Sequence, residues 1–297
     1  MTIAAPRMAT SMGEFIRALS DPGVAFLRYA LLAGLLASVA FGIVGSYVVA
    51  RRISYIAGAI SHCVLSGIGI ALYLQKARGV QWCDPMLGAV VSALLSAVVI
   101  GLVSMYASQR EDTVIGSLWA VGMAVGLLFL ARTPGYIDPM SYLFGSILLI
   151  SRADLAAVAV LDAAVVATCL LFYNKFLSLC FDEEFARLRG LRVGFYYLLL
   201  LCLTALTVVL LIRVVGAVMV IALLTLPAAV AGQFATRLWQ MMLAAIVLCA
   251  VFNTAGLALS YAYELPTGPT IIVLAAATYL ASLAAGRIAA RSRKPAA

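Results

Sequence analysis

Charge is scarce in this sequence. Asp, Glu, Lys and Arg make up 11% of its 297 residues, and hydrophobic residues make up 65%. A soluble domain is about half apolar and about a quarter charged. No polar stretch is long enough to form a soluble domain of its own, so an independently folded domain outside a membrane is excluded. Histidine occurs once, at His62. A catalytic pair that needs a second histidine on another helix is thereby excluded. The phosphate-cradling pattern GxxxxGK[ST] is absent, which excludes a P-loop on this chain. The cysteines, Cys63, Cys83, Cys169, Cys180, Cys202 and Cys249, form no CxxC pair. Most lie in apolar runs, where Cys acts as a small hydrophobe, so neither disulfides nor a cysteine-built zinc site are expected. A basic patch interleaved with aromatics is also missing. The net charge of +8 therefore does not indicate a nucleic-acid partner; Lys and Arg flank membrane spans and set topology.

What the sequence does contain is long apolar runs, with a mean hydropathy of +1.11. Nine candidate spans stand at roughly 27–50, 55–75, 86–107, 114–131, 154–173, 195–212, 214–231, 239–261 and 269–288. Each approaches the roughly 20 residues needed to cross about 30 Å of hydrocarbon. The seventh follows closely on Arg213 and contains Pro227, so it reads as broken or partly re-entrant, and the count is eight or nine. The run Tyr142 to Ile150 is too short to span and reads as a buried half-helix. The expected organisation has three parts: an amphipathic segment at 1–25, which carries Glu14 and Arg17 and does not read as a cleaved signal; a transmembrane unit at 26–290; and a basic tail at 291–297. The fold class is all-α polytopic membrane protein.

Orientation follows from the basic residues. With the Arg51-Arg52 turn inside, twelve of the twenty Lys and Arg fall on inside loops and eight outside. The tail, with Arg287, Arg291, Arg293 and Lys294, is the most compact inside cue. This predicts a cytoplasmic C-terminus. Gly34, Gly42, Gly45, Gly116, Gly122 and Gly126 recur at helical spacing and read as close helix contacts. Asp162 and Asn253 fall inside spans, as interhelical glue or as pathway groups. Asp138 and Glu264 fall in outside loops.

The largest inside loop is expected at 174–194. Within it, Asp182, Glu183 and Glu184 precede Arg187 and Arg189, and Gly190 closes the run. Acids early and bases late suit a helix dipole, and Glu183 and Arg187 form an i,i+4 pair. A short solvent-facing helix is expected at about 181–190. Ala186 and Gly190 give it a smooth face that a partner groove would clasp.

The stretch Gly45 to Gly69 holds both the Arg51-Arg52 turn and His62. An imidazole within an apolar span is costly without a partner, so it reads either as a functional site or as a histidine satisfied by backbone. Here the residues resemble a known family. AISHCVLSGIG (59–69) is similar to the "D-A-x-S-H-A-x-x-P-G" segment of the transmembrane permease subunits of bacterial ABC importers for zinc, manganese or iron. FDEEFARLRGL (181–191) resembles that family's coupling helix, matching at Phe181, Asp182, Glu183, Ala186 and Gly190. SYLFGSIL (141–148), VVGAVMVIALLTLPAAVA (214–231) and LSYAYELPTGPTIIVL (259–274) resemble further blocks, in the family's order.

The resemblance implies a non-enzymatic subunit of an ATP-driven importer in the bacterial cytoplasmic membrane. Its cargo would be a divalent transition metal ion, with no permanently bound cofactor. The implied partners are a separate cytoplasmic ATPase that binds the ATP, an extracytoplasmic metal-binding protein and a second permease copy or homologous permease. Membrane lipid is implied as well, and nucleic acid is not. The family's metal ligands are an Asp and a His one helical turn apart. Here His62 carries over, but the Asp position is Gly58. Cys63, about 100° round the helix, and Ser61 are weaker metal candidates. Two other functions remain: an importer of a metal chelate or cobalamin-like ligand, which Gly58 favours, and an intramembrane Ser–His protease built on Ser61 or Ser66.

Overall fold

The structure is a computed structural model that describes residues 25–106, 111–135 and 150–292. The expected features at 1–24, Tyr142 to Leu149, Asp138 and the tail beyond Ser292 lie outside the described residues. Among the described residues ten helices follow in chain order: α1 Ala25–Ala50, α2 Ser54–Arg78, α3 Pro85–Tyr106, α4 Glu111–Arg132, α5 Arg152–Phe181, α6 Glu183–Leu188, α7 Val193–Val215, α8 Ala217–Gly232, α9 Leu238–Tyr263 and α10 Thr267–Ser292. No strand occurs among the described residues. Eight of the helices are long and apolar enough to cross a membrane, and α8 is shorter. With 16 residues, α8 reaches about 24 Å, less than a hydrocarbon core. The break before it falls at Gly216, whose φ of 84° is open to glycine without a Cβ clash.

The helices sort into a core and a periphery. In α2, 78% of the apolar window is buried, and in α1 72%; in α4 and α10 the share is 17%. So α1 and α2 form the centre, while α4 and α10 leave most of their surface to lipid or to another subunit. Small residues permit the tight contacts at the centre. A Cβ on Gly45 would stand 2.1 Å from the Leu224 carbonyl oxygen of α8. Between α2 and α4, a Cβ on Gly122 would meet Cys63 Cα at 2.9 Å, and one on Gly126 would meet the Leu65 carbonyl carbon at 2.6 Å. Of the glycines expected to pack, Gly116 has nothing within reach.

Buried hydroxyls are satisfied without water. Ser38, Ser46, Ser61, Thr204 and Thr207 each donate to the carbonyl one turn back, which removes the cost of an unpaired O–H in an apolar interior. Asn253 Nδ2 donates to Gly34 O at 2.9 Å and to Ser38 Oγ at 3.1 Å. Asp162 Oδ1 accepts from Ala40 N at 3.2 Å. Each of these two side chains bonds α1 to a distant helix.

The expected inside loop at 174–194 is shorter than its sequence suggests. Helix α5 runs on to Phe181, for 30 residues. Lys175, which reads as a loop residue, is accommodated on the helix. Its Nζ donates to Tyr196 Oη at 2.7 Å and lies 5.2 Å and 5.0 Å from the Phe172 and Tyr196 ring centres. Ring faces of this kind attract an ammonium. The polar connection therefore starts at Asp182.

Candidate functional site

Helix α2 begins at Ser54, just after a turn in which Arg52 has a φ of 62°. Gly58, His62 and Ser66 then recur one turn apart and share a face of α2. Gly58 and Ser61 are buried and His62 is half-buried. The His62 ring stacks on Trp119 of α4, with ring centres 4.7 Å apart and planes 17° from parallel. Its Nδ1 is buried and has no hydrogen-bond partner. Leaving a buried polar atom unpaired costs about 1–3 kcal/mol. A histidine satisfied by backbone at Nδ1 is thereby excluded.

Gly58 lies beside the same indole. A Cβ there would meet only Trp119, at 3.5 Å from Cζ3 and 3.7 Å from Cη2. Trp119 is thus the shared neighbour of positions 58 and 62, and the sequence reading did not single it out. The available signal was Gly122 and Gly126, one and two turns further along α4. Their contact with α2 fixes the register that brings Trp119 over His62.

The other candidates fall elsewhere. The Ser61 hydroxyl bonds locally to Ala57 O at 2.9 Å. Cys63 faces α4 differently, with Sγ 3.2 Å from Leu118 O. It lines a groove of about 460 Å³ between α2, α3 and α4, together with Ser66, Ser92 and Ser96. Ser66 Oγ donates to Cys63 O at 2.7 Å. Neither serine directs its hydroxyl at His62, so the pairing a protease would need is not formed. Asp162 and Asn253 bond to α1, and each keeps one unpaired oxygen, Oδ2 and Oδ1. Glu264 caps α9 in the left-handed region at φ 53° and is exposed. Among the described residues, no three His, Cys, Asp or Glu side chains come together as a metal cluster.

The second candidate region is α6. Asp182 caps it, accepting from Phe185 N at 2.8 Å. Glu183 is held by two arginines: Arg187 one turn on, at 2.6 Å, and Arg51 of the α1–α2 turn. Arg51 also donates to Leu179 O at 2.9 Å. The start of α2, the end of α5 and α6 are therefore tied together at one end of the bundle. Partial burial raises the Glu183 pKa. The hydrogen bonds and charges of Arg51 and Arg187 outweigh this and hold the carboxyl below the usual glutamate range. Gly190, at φ 76°, follows the helix.

Of the smooth face expected from Ala186 and Gly190, Gly190 is exposed and Ala186 is not. Ala186 is 1% exposed, against the chain's own core, while Phe181, Phe185 and Leu188 are 68%, 46% and 86% exposed. A six-residue helix lying on a bundle must turn one side inward. The small residue takes that side, because it lets α6 lie close to the bundle. The outward surface sets the bulky apolar Phe181, Phe185 and Leu188 among the charged Glu184, Arg187 and Arg189.

These features define a class: a polytopic α-helical membrane protein with one histidine left unsatisfied at Nδ1 in its central span and a short helix with exposed apolar and charged side chains presented at one end. The comparisons place it more closely. The model of the ABC 3 transport family matches residues 23–286. A "Probable metal transport system membrane protein" of Chlamydia trachomatis is 39% identical over 254 residues, 85% of this chain and 86% of that protein. The "Manganese transport system membrane protein MntC" of Halalkalibacterium halodurans is 30% identical over 255 residues, 86% of this chain and 85% of that one. Among solved structures, PsaBC from Streptococcus pneumoniae, in complex with Fab, superposes with a TM-score of 0.80 at 30% identity, covering 91% of this chain and 95% of that one. The chain belongs to the ABC 3 transport family. It is a multi-pass protein of the bacterial inner membrane.

Proposed function

We propose that this chain is the membrane-spanning subunit of an ATP-driven importer that carries a divalent transition metal ion into the cytoplasm. The observation that carries the reading is His62, with Nδ1 buried and unpartnered in the central span. The fold leaves a metal-competent donor unsatisfied where hydrogen bonding would otherwise be expected, and a passing ion would satisfy it. Neutral imidazole suits zinc, iron, copper and nickel. One imidazole is too few ligands for an ion shed of its water. A second copy of the chain, paired across an axis beside α2 and α4, supplies the second nitrogen, and the low burial of α4 is consistent with such a partner.

The chain binds no ATP and does no covalent chemistry. A separate ATPase subunit docks on α6 and the end of α5 through Phe181, Phe185 and Leu188, which places α6, the Arg51-Arg52 turn and the C-terminus on the cytoplasmic side. An extracytoplasmic metal-binding protein delivers the ion at the opposite end, where Glu264 stands exposed. Arg51 links the docking helix to the start of α2, and so to His62 about 12 Å further along that helix.

The test is uptake of zinc and manganese, each offered singly, into proteoliposomes holding the chain with its ATPase and binding protein. ATP-dependent accumulation of either ion supports the reading. ATP hydrolysis with no accumulation of any transition metal refutes it.

A further inference from the structure

We infer that Trp119 sets the ion preference at His62 by standing where a second polar ligand would stand. The inference rests on the reading that His62 binds the transported ion, and it adds what that ion meets next. Position 58 is one turn before His62 on the same face of α2, as near to it as Ser66 one turn after, whose hydroxyl is already bonded to Cys63 O. It holds glycine, and the space in front of it belongs to the edge of the Trp119 ring, with Cζ3 3.5 Å and Cη2 3.7 Å from a Cβ placed there. A methyl would fit at ordinary contact distance. A carboxylate adds three further atoms beyond that contact, beside the edge of the ring.

The same indole lies flat on the imidazole, at 4.7 Å and 17°. Stacking uses the face of the imidazole, whereas metal coordination uses the lone pair in the ring plane. Trp119 can therefore hold the His62 ring in place without blocking its donor atom. The contact is fixed by the α2–α4 packing, since Gly122 and Gly126 leave α4 no room to slide along Cys63 and Leu65.

The consequence is chemical. An ion bound in the plane of the His62 ring finds a neutral nitrogen and no anionic oxygen from α2, whose residues include no Asp or Glu. No cluster of three His, Cys, Asp or Glu forms among the described residues to supply one. Ions that bind imidazole well, such as zinc, are favoured over manganese, which prefers carboxylate and water oxygens. Trp119 is a specificity-determining residue on this account. It occupies the space beside position 58, one turn before His62, and keeps the imidazole oriented.

The experiment measures zinc and manganese uptake by the full transporter, offered together and normalised to assembled complex. The variants are Trp119→Ala, Trp119→Leu, Trp119→Phe, Gly58→Asp, the double variant Gly58→Asp/Trp119→Ala, and His62→Ala. The expected result is a fall of at least about tenfold in the zinc-to-manganese ratio for Trp119→Ala, equivalent to about 1.4 kcal/mol, because water entering the vacated space beside position 58 gives the ion hard oxygen ligands that suit manganese, with Trp119→Phe close to wild type. Gly58→Asp alone should lose most uptake of both ions, because the ring and the carboxylate compete for one space. The double variant should regain uptake and prefer manganese. If Trp119→Ala does not assemble, the ratio in Trp119→Leu decides, since leucine keeps apolar bulk without a π-face. A ratio within twofold of wild type in these variants, with His62→Ala inactive, overturns the role of Trp119 and leaves the transport site standing. Unchanged uptake and preference in His62→Ala overturns the transport site itself.

Discussion

Replacing Glu183 with Gln removes the charge that ties α6 to the start of α2, while keeping the shape of the side chain. Glu183 is 29% exposed and Arg51 23% exposed, so the pair is only partly screened by water. A hydrogen bond to a charged group contributes about 1.5–3 kcal/mol when shielded, and an exposed ion pair about 0–1 kcal/mol. At this exposure we expect about 1–2 kcal/mol of coupling between positions 51 and 183, read from a double-mutant cycle of Arg51→Ala and Glu183→Gln on thermal unfolding in detergent. Removing Arg187, whose side chain is 67% exposed, should cost less than removing Arg51. The pH dependence has a definite sign. The folded-state pKa of Glu183 lies below its unfolded value near 4.3, so the contribution is fully present above that pH and is lost as pH falls through the folded value. Wild type and Glu183→Gln should therefore differ in stability by the same amount at pH 7 and pH 6. Their difference should shrink only under strongly acid conditions. ATP hydrolysis by the assembled complex should persist in Glu183→Gln, with fewer ions moved per ATP. A coupling energy of zero, together with an unchanged transport-to-hydrolysis ratio, would refute a role for the Arg51–Glu183 pair in linking α6 to α2.

Three further variants test exposure and interhelical bonding. Ala186→Arg forces a guanidinium into a site that is 1% exposed. Overpacking alone costs about 1–3 kcal/mol, and the buried charge adds to it, so this variant should lose stability as well as coupling. Leu188→Glu, at a position 86% exposed, should leave the melting temperature within about 2 °C, given surface effects of about 0.5 kcal/mol or less, while weakening pull-down of the ATPase. Asn253→Ala deletes both bonds to α1 and should cost about 0.6–1.7 kcal/mol, the range for polar contacts between membrane helices. It should leave the ratio of zinc to manganese uptake unchanged, because Asn253 bonds to α1 and not to α2.

Much of this architecture is legible in the chain because apolar length is a strong signal. The spans at 27–50, 55–75, 86–107 and 239–261 match α1, α2, α3 and α9 to within a few residues, and the doubtful run at 214–231 becomes the short helix α8, entered through Gly216. The end of α5 was misread because Lys175 looks polar in sequence. Only the fold reveals Phe172 and Tyr196 around its ammonium. The orientation of α6 was hidden for another reason. In a helix this short, periodicity does not say which side rests on the bundle, and Ala186 faces inward while Phe185 faces out. At the candidate site, His62 and Gly58 were visible as a local pair. Trp119 was not, because its placement depends on α4 packing against α2 through Gly122 and Gly126, a long-range contact. Asp162 and Asn253 were recognisable as buried polar groups, but their common partner α1 was not.

The central claim is that His62 handles the transported ion. The most direct measurement is ATP-driven zinc uptake by the assembled transporter carrying His62→Ala, beside wild type at equal protein. The imidazole is half-buried and its Nδ1 has no hydrogen-bond partner in the fold, so its loss should leave expression and assembly near wild type. Zinc uptake should fall to background. Uptake at the wild-type rate in a well-assembled His62→Ala transporter would contradict the account.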